Sequence, residues 1–197
     1  MWKGCPLAEA LRYGRGMRLP AVLAVTLTML VLTGCGTPEP VVVPEPESSS
    51  TPLFASDEEA LAAAEEAYGA YLAVSDQILA EGGINPERAY GYMTENMRSD
   101  SFAGIKLFVD SEWHTQGATT FDSMTLQQFS QDETTEASLV AYACLDVSGL
   151  RIIDVAGTDV TPLERPSRLP LELEFVAEAS STMLIERSDL WSGEDFC

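Results

Sequence analysis

Lysine is nearly missing from this chain of 197 residues: only Lys3 and Lys106 are present, against nine arginines. Histidine occurs once, at His114, which excludes any metal site built on two histidines. Any Ser–His–Asp or Cys–His site would have to use that one residue. Basic residues of both kinds number 11 against 31 acidic ones, a net charge of −20. So few cations exclude a nucleic-acid surface, because binding phosphates needs clustered lysine or arginine. No Asp-x-Asp-x-Asp-Gly calcium loop and no glycine-rich phosphate loop is present. Oxygen-only cation sites remain open, but Asp146, Asp154 and Asp159 read as strand-exit and turn residues. We therefore expect no metal, no cofactor and no catalytic constellation. The longest uncharged apolar run, Leu19 to Leu32, has 14 residues and is too short for a comfortable membrane span.

What is present begins with an address. Arg12, Arg15 and Arg18 precede that apolar run, and its end reads Leu32-Thr33-Gly34-Cys35. Charged segment, apolar segment and small-residue site follow each other as in a secretory signal. The last four residues resemble the bacterial lipobox, which implies lipidation of Cys35 and cleavage between Gly34 and Cys35. The competing readings are a plain secretory signal and an uncleaved anchor. Met17 would serve as a compact alternative start, making residues 1–16, with Cys5, a start-site overcall. Removing residues 1–34 takes away four basic residues and one acidic one, leaving 7 basic and 30 acidic, net −23. Anionic headgroups repel such a body, so the lipid has to hold it at the membrane.

Residues 35–52 form the lipidated cysteine and a linker with five prolines, three glutamates and the run Ser48-Ser49-Ser50. Extended chain of this kind reaches roughly 50 Å at ~3.1 Å per residue. That distance is several Debye lengths of ~8 Å each.

Residues 53–197 are one domain of 145 residues, a size that buries roughly two-thirds of its unfolded surface. Ser56 and Glu59 form a capping box opening an amphipathic helix of about 24 residues, closed by Gly82-Gly83. Leu61, Ala64, Tyr68, Tyr71, Leu72, Ser75, Ile78 and Leu79 mark its inner face. Asn85-Pro86 predicts the cap and first residue of a second helix carrying Tyr90, Met93 and Met97 inward. A third helix is expected from about Ser99 to Trp113, with His114 at its end. Strands are predicted over Thr119–Ser130, Ala137–Val147, Leu169–Phe175 and Thr182–Trp191, from β-forming residues and alternation. Gly149 and Asp154–Thr158 read as turns. The expected class is α+β, with N-terminal helices packed on a curved antiparallel sheet of about four to six strands.

Helices first, then about four long strands, resemble the nuclear transport factor 2-like, or cystatin-like, cone. The segments Tyr142-Ala143-Cys144-Leu145-Asp146-Val147-Ser148 and Arg165-Pro166, with the ending Trp191-Ser192-Gly193-Glu194-Asp195-Phe196-Cys197, resemble uncharacterised actinobacterial-type lipoproteins. That resemblance implies no particular activity, since the cone hosts enzymes, ligand binders and assembly modules. Cone isomerases use a buried aspartate base, a tyrosine and a second, protonated aspartate. By that analogy Tyr68, Tyr71, Tyr90, Asp100 and His114 are the candidate pocket residues, with Tyr92 beside them. At helical spacing, core packing is the simpler role for the tyrosines.

With Cys35 lipidated and Cys5 removed, Cys144 and Cys197 remain, an even count in an oxidising compartment, and we expect them to be bridged. The expected function is a membrane-anchored, extracytoplasmic binding or scaffolding module with a cell-envelope protein partner. The alternative is a small-molecule-binding or hydrolase/isomerase-like cone using its interior.

Overall fold

The computed structural model describes residues 52–132 and 135–197. The signal segment, Cys5, Cys35 and the linker lie outside the described residues. Helix α1 spans Asp57–Ala80, and Ser56 Oγ accepts from Glu59 N at 3.2 Å. Glu59 reaches back to Ala55 N at 2.8 Å, one residue further than a standard box. Three acids in the first turn face the positive end of the helix dipole. Gly82 and Gly83, at φ +76° and +85°, turn the chain out of the helix. A side chain at Gly83 would collide with Ile105 and Val109, so glycine there lets the next helix approach.

The second helix differs from expectation. Residues Pro86–Tyr92 form a 3-10 segment, and Asn85 sits at φ 52° without capping anything through its side chain. An N-cap residue normally has extended backbone, which Asn85 lacks. Thr94 is the effective cap: its Oγ1 accepts from Met97 N, and helix α2 runs Glu95–Ser111, four residues earlier than expected. Met97 therefore belongs to α2, and Met93 forms an isolated bridge to Ile185.

Six strands follow: β1 His114–Gln116, β2 Thr120–Gln131, β3 Glu136–Asp146, β4 Arg151–Ile153, β5 Arg168–Glu178 and β6 Leu184–Leu190. Strands β2-β3-β5-β6 make one antiparallel sheet in that order, and β1 pairs with β4 in a second. The fold is thus three helices with a four-stranded and a two-stranded sheet, an α+β domain. Strands β1 and β4 were not expected; at three residues each they are too short to show alternation. His114 belongs to β1, opposite Ile153, and not to a helix end. Asp76 of α1 fixes the loop before β2 by accepting from Thr119 N at 2.7 Å and Thr119 Oγ1 at 2.8 Å.

The helices pack on one face of the large sheet. Register places Phe129, Leu139, Phe175 and Ile185 in one row on that inner face, and Leu126, Ala141, Leu173 and Ser188 in the next. The side chains of Leu139, Phe175, Ile185 and Leu173 are fully buried there, with Tyr68, Phe54, Met93 and Met183. Ala60, Ala64, Tyr68 and Leu72 face them from α1. Among the described residues, no helix is long and apolar enough to cross a membrane.

Candidate functional site

The five candidate pocket residues fall in separate places. Tyr68 is 2 % exposed and packs edge-on against Phe121 at 5.0 Å and Phe175 at 6.5 Å. Burial pushes its phenol far above the ordinary value, with a hydrogen bond to Ser188 opposing the shift. Tyr71 stacks beside it at 6.2 Å and is half-buried. Tyr90 lies elsewhere, in the 3-10 segment, edge-on to Phe102, with Arg98 4.6 Å above its ring. Asp100 is exposed on α2, and His114 lines an open depression with Glu81, Gly82 and Trp113. The structure brings together only Tyr68 and Tyr71, and the partner of Tyr68 is Ser188, not Asp100. Tyr92 borders a groove between α1 and the segment Ser181–Met183, floored by Ala63, Ala67 and Ala70.

Among the described residues, two parts of the large sheet are left without a helix over them. The first is one end of the inner face. There Phe121, Leu145 and Leu169 share a row, and Leu171 stands opposite Leu190. Phe121, Leu145 and Leu169 are half-buried, and Leu190 is 65 % exposed although it points to the helix side. The rows near Phe175 are sealed and these are not, so the helix layer closes one end of the sheet and leaves the other open.

The second is the outer face, which none of the described helices covers. Its residues are those the strand alternation sends away from the core, Tyr142, Cys144 and Asp146 on β3 and Pro170, Glu172 and Glu174 on β5 among them. A disulfide joins Cys144 to Cys197 with Cα atoms 5.5 Å apart. It ties the segment Trp191–Cys197 across this face. Trp191 N donates to Pro170 O, and Tyr142 packs against Trp191 at 4.6 Å and Phe196 at 5.5 Å. Cys144 is therefore 1 % exposed although it lies on the outer side of the sheet. Disulfides persist in oxidising compartments.

Charge organises the rest of that face. Arg168 pairs with Asp122 at 2.8 Å and Asp146 at 3.5 Å. Its guanidinium holds the Asp122 carboxyl below the ordinary value, and Ser148 does the same for Asp146. Arg187 bonds Glu174 and lies within ion-pair distance of Glu172 and Asp189. Five carboxylates (Asp122, Asp146, Glu172, Glu174, Asp189) thus share two guanidinium groups, while Glu136 and Glu178 on the same face pair with neither. The domain's other cations are engaged elsewhere: Arg88 with Glu81, Lys106 with Asp110 and Arg151 with Asp159. Arg165 donates to the carbonyls of Val147 and Leu150. Sequence alternation marks Glu172 and Glu174 as outward residues, but their convergence on Arg187 depends on register and was not legible.

Among the described residues, no group of three or more histidine, cysteine, aspartate or glutamate side chains is arranged to hold a metal ion. What these surfaces offer chemically is contact: partly exposed apolar side chains at one end of the inner face, and an acidic, partly apolar outer face with a covalently fixed border.

No protein-family model matches the chain, and no curated protein matches it. Among solved structures, the chain is similar to the intermembrane-space region of the chloroplast protein ARC6. That likeness has 9 % identity and a TM-score of 0.48, covering 68 % of this chain and 97 % of that one. It is also similar to a periplasmic fragment of TraM, with 11 % identity and a TM-score of 0.42, over 71 % of this chain and 100 % of that one. Both are likenesses of helix and strand arrangement, and neither bears on activity.

Proposed function

We propose that the protein is a lipoprotein of the cell envelope. Cys35 carries the lipid on the extracytoplasmic face of the membrane, the proline-rich linker stands the domain off the headgroups, and the domain binds or scaffolds another envelope protein. Helices before strands and the partly open inner face support a cone of the nuclear transport factor 2-like kind. The observation that carries the binding role is the outer face of the sheet beyond the Trp191–Cys197 segment, where half-buried Val140 and Val176 stand among carboxylates. The Cys144–Cys197 bridge supports a location outside the reducing cytoplasm. The lipobox-like Leu32-Thr33-Gly34-Cys35 supports the anchor.

The test is Cys35→Ala. Wild-type protein is expected in the detergent phase on phase separation, and the variant in the aqueous phase or as an uncleaved precursor. A fully processed Cys35→Ala protein that still enters the detergent phase overturns the anchor.

The second reading, a small-molecule site, is favoured by the exposure of Leu190 at the open end of the inner face. An apolar fluorescent dye taken up by the wild type and excluded by Leu190→Glu would support it; equal uptake by both counts against it.

A further inference from the structure

The hairpin end of the outer face holds a groove of about 280 Å³ lined by Ser130, Ser138, Val176, Glu136 and Glu178 among others. Register puts Ser138 opposite Val176, and Val176 opposite Leu184, so the floor has an apolar side. Glu136 stands directly opposite Glu178. Like charges in that position destabilise an antiparallel pair. Among the described residues neither carboxylate has an ion-pair partner: five of the domain's seven cations pair with other carboxylates, Arg98 lies over the Tyr90 ring, and Arg165 donates to backbone carbonyls. Both are exposed and solvated, and a cation brought by another molecule would relieve their mutual repulsion. A second copy would bring more carboxylates to the same face, and an anionic lipid surface is repelled.

Along β5 the outward side chains read Glu178, Val176, Glu174, at the two-residue repeat of a strand, about 6.6–6.8 Å apart. An extended polypeptide presenting cation, apolar side chain, cation at its own alternate positions matches that series in spacing and in charge. We propose that this end of the outer face docks an extended, lysine- or arginine-bearing segment of a partner protein. Its cations fall on Glu136–Glu178 and on the Glu172–Glu174 pair, and its apolar side chain on Val176. The inference rests on the binding-module reading above and names the surface and partner chemistry for it.

The experiment uses the full-length protein in neutral detergent at low salt, titrated with a labelled synthetic peptide repeating lysine–serine–valine–serine. Saturable binding is expected, at least fivefold tighter than for a scrambled peptide of equal charge. The double variant Glu136→Lys, Glu178→Lys should weaken it tenfold or more. Glu58→Lys with Glu65→Lys makes the same charge change on the exposed side of α1 and should alter affinity less than twofold. Melting curves confirm that both variants fold. Equal loss in both double variants shows attraction to general acidity and overturns the site, as does the absence of saturation at millimolar peptide. Sedimentation showing a dimer that the groove variant dissolves also overturns it, in favour of a second copy. If the peptide fails while the wild type still enters the detergent phase, the surface is wrong and the anchored reading stands. If the wild type does not enter the detergent phase, that reading falls whatever the peptide does.

Discussion

Cys197→Ser should lower the melting temperature of the protein by roughly 10–15 °C. The Cys144–Cys197 bridge closes a loop of 53 positions. In the chain-entropy treatment such a loop is worth about 4 kcal/mol, an upper figure for what is delivered. For a domain of this size each kcal/mol moves the midpoint by roughly 3–4 °C. Local contacts add to the loss, because the bridge also holds Phe196 and Trp191 against Tyr142. Cys144→Ser should cost at least as much, since it leaves a hydroxyl at a site 1 % exposed. The double variant should be no less stable than Cys144→Ser alone, because both changes break one bond. Wild type in reductant should melt near Cys197→Ser. Alkylation and peptide mapping of unreduced, denatured protein should find neither cysteine reactive. Two reactive thiols at Cys144 and Cys197, or a midpoint within about 2 °C of wild type for Cys197→Ser, would refute this account.

Phe175→Ala is the second large effect, an expected loss of about 3–5 kcal/mol. Phe175 is 0 % exposed, in the inner row with Leu139 and Ile185, and the Tyr68 ring meets it edge-on. Truncation opens a cavity whose lining cannot collapse, because the fixed strand register holds Leu139 and Ile185 apart. Phe175→Leu keeps most of the volume and should cost roughly 1–1.5 kcal/mol, so the series remains readable if the alanine variant does not fold. Val155→Ala, at a site 77 % exposed, is the control and should stay within about 0.5 kcal/mol. Urea midpoints measure all three. A Phe175→Leu variant less stable than Phe175→Ala would contradict the packing described.

Helix α1 was legible because its signals are local. Ser56 and Glu59 open it, Gly82-Gly83 closes it, and the structure places it at Asp57–Ala80. Strand β5 was legible because Leu169, Leu171, Leu173 and Phe175 alternate with polar residues over a stretch long enough to count. The start of α2 was not legible: the third helix was expected from about Ser99, and the sequence alone does not move its start back to Thr94. Tertiary contact does so, since Thr94 N donates to Ile185 O and fixes the chain there before the helix begins. Strands β1 and β4 each have half a pattern, and only their pairing with each other makes them strands.

The same division holds for function. The tyrosines read as pocket candidates because spacing tells which face a residue shares, not what stands opposite it. Phe121 and Phe175 stand opposite Tyr68, so that ring fills the core. By itself the sequence determined the class α+β, the acidic charge and the pairing of Cys144 with Cys197, because composition, order and cysteine count need no third dimension. Only the tertiary structure decided which sheet face stays open, that Leu190 lies uncovered at one end, and that Glu136 meets Glu178 across two strands. Those facts depend on register and on where the helix layer stops, and both are set by contacts between residues far apart in the chain.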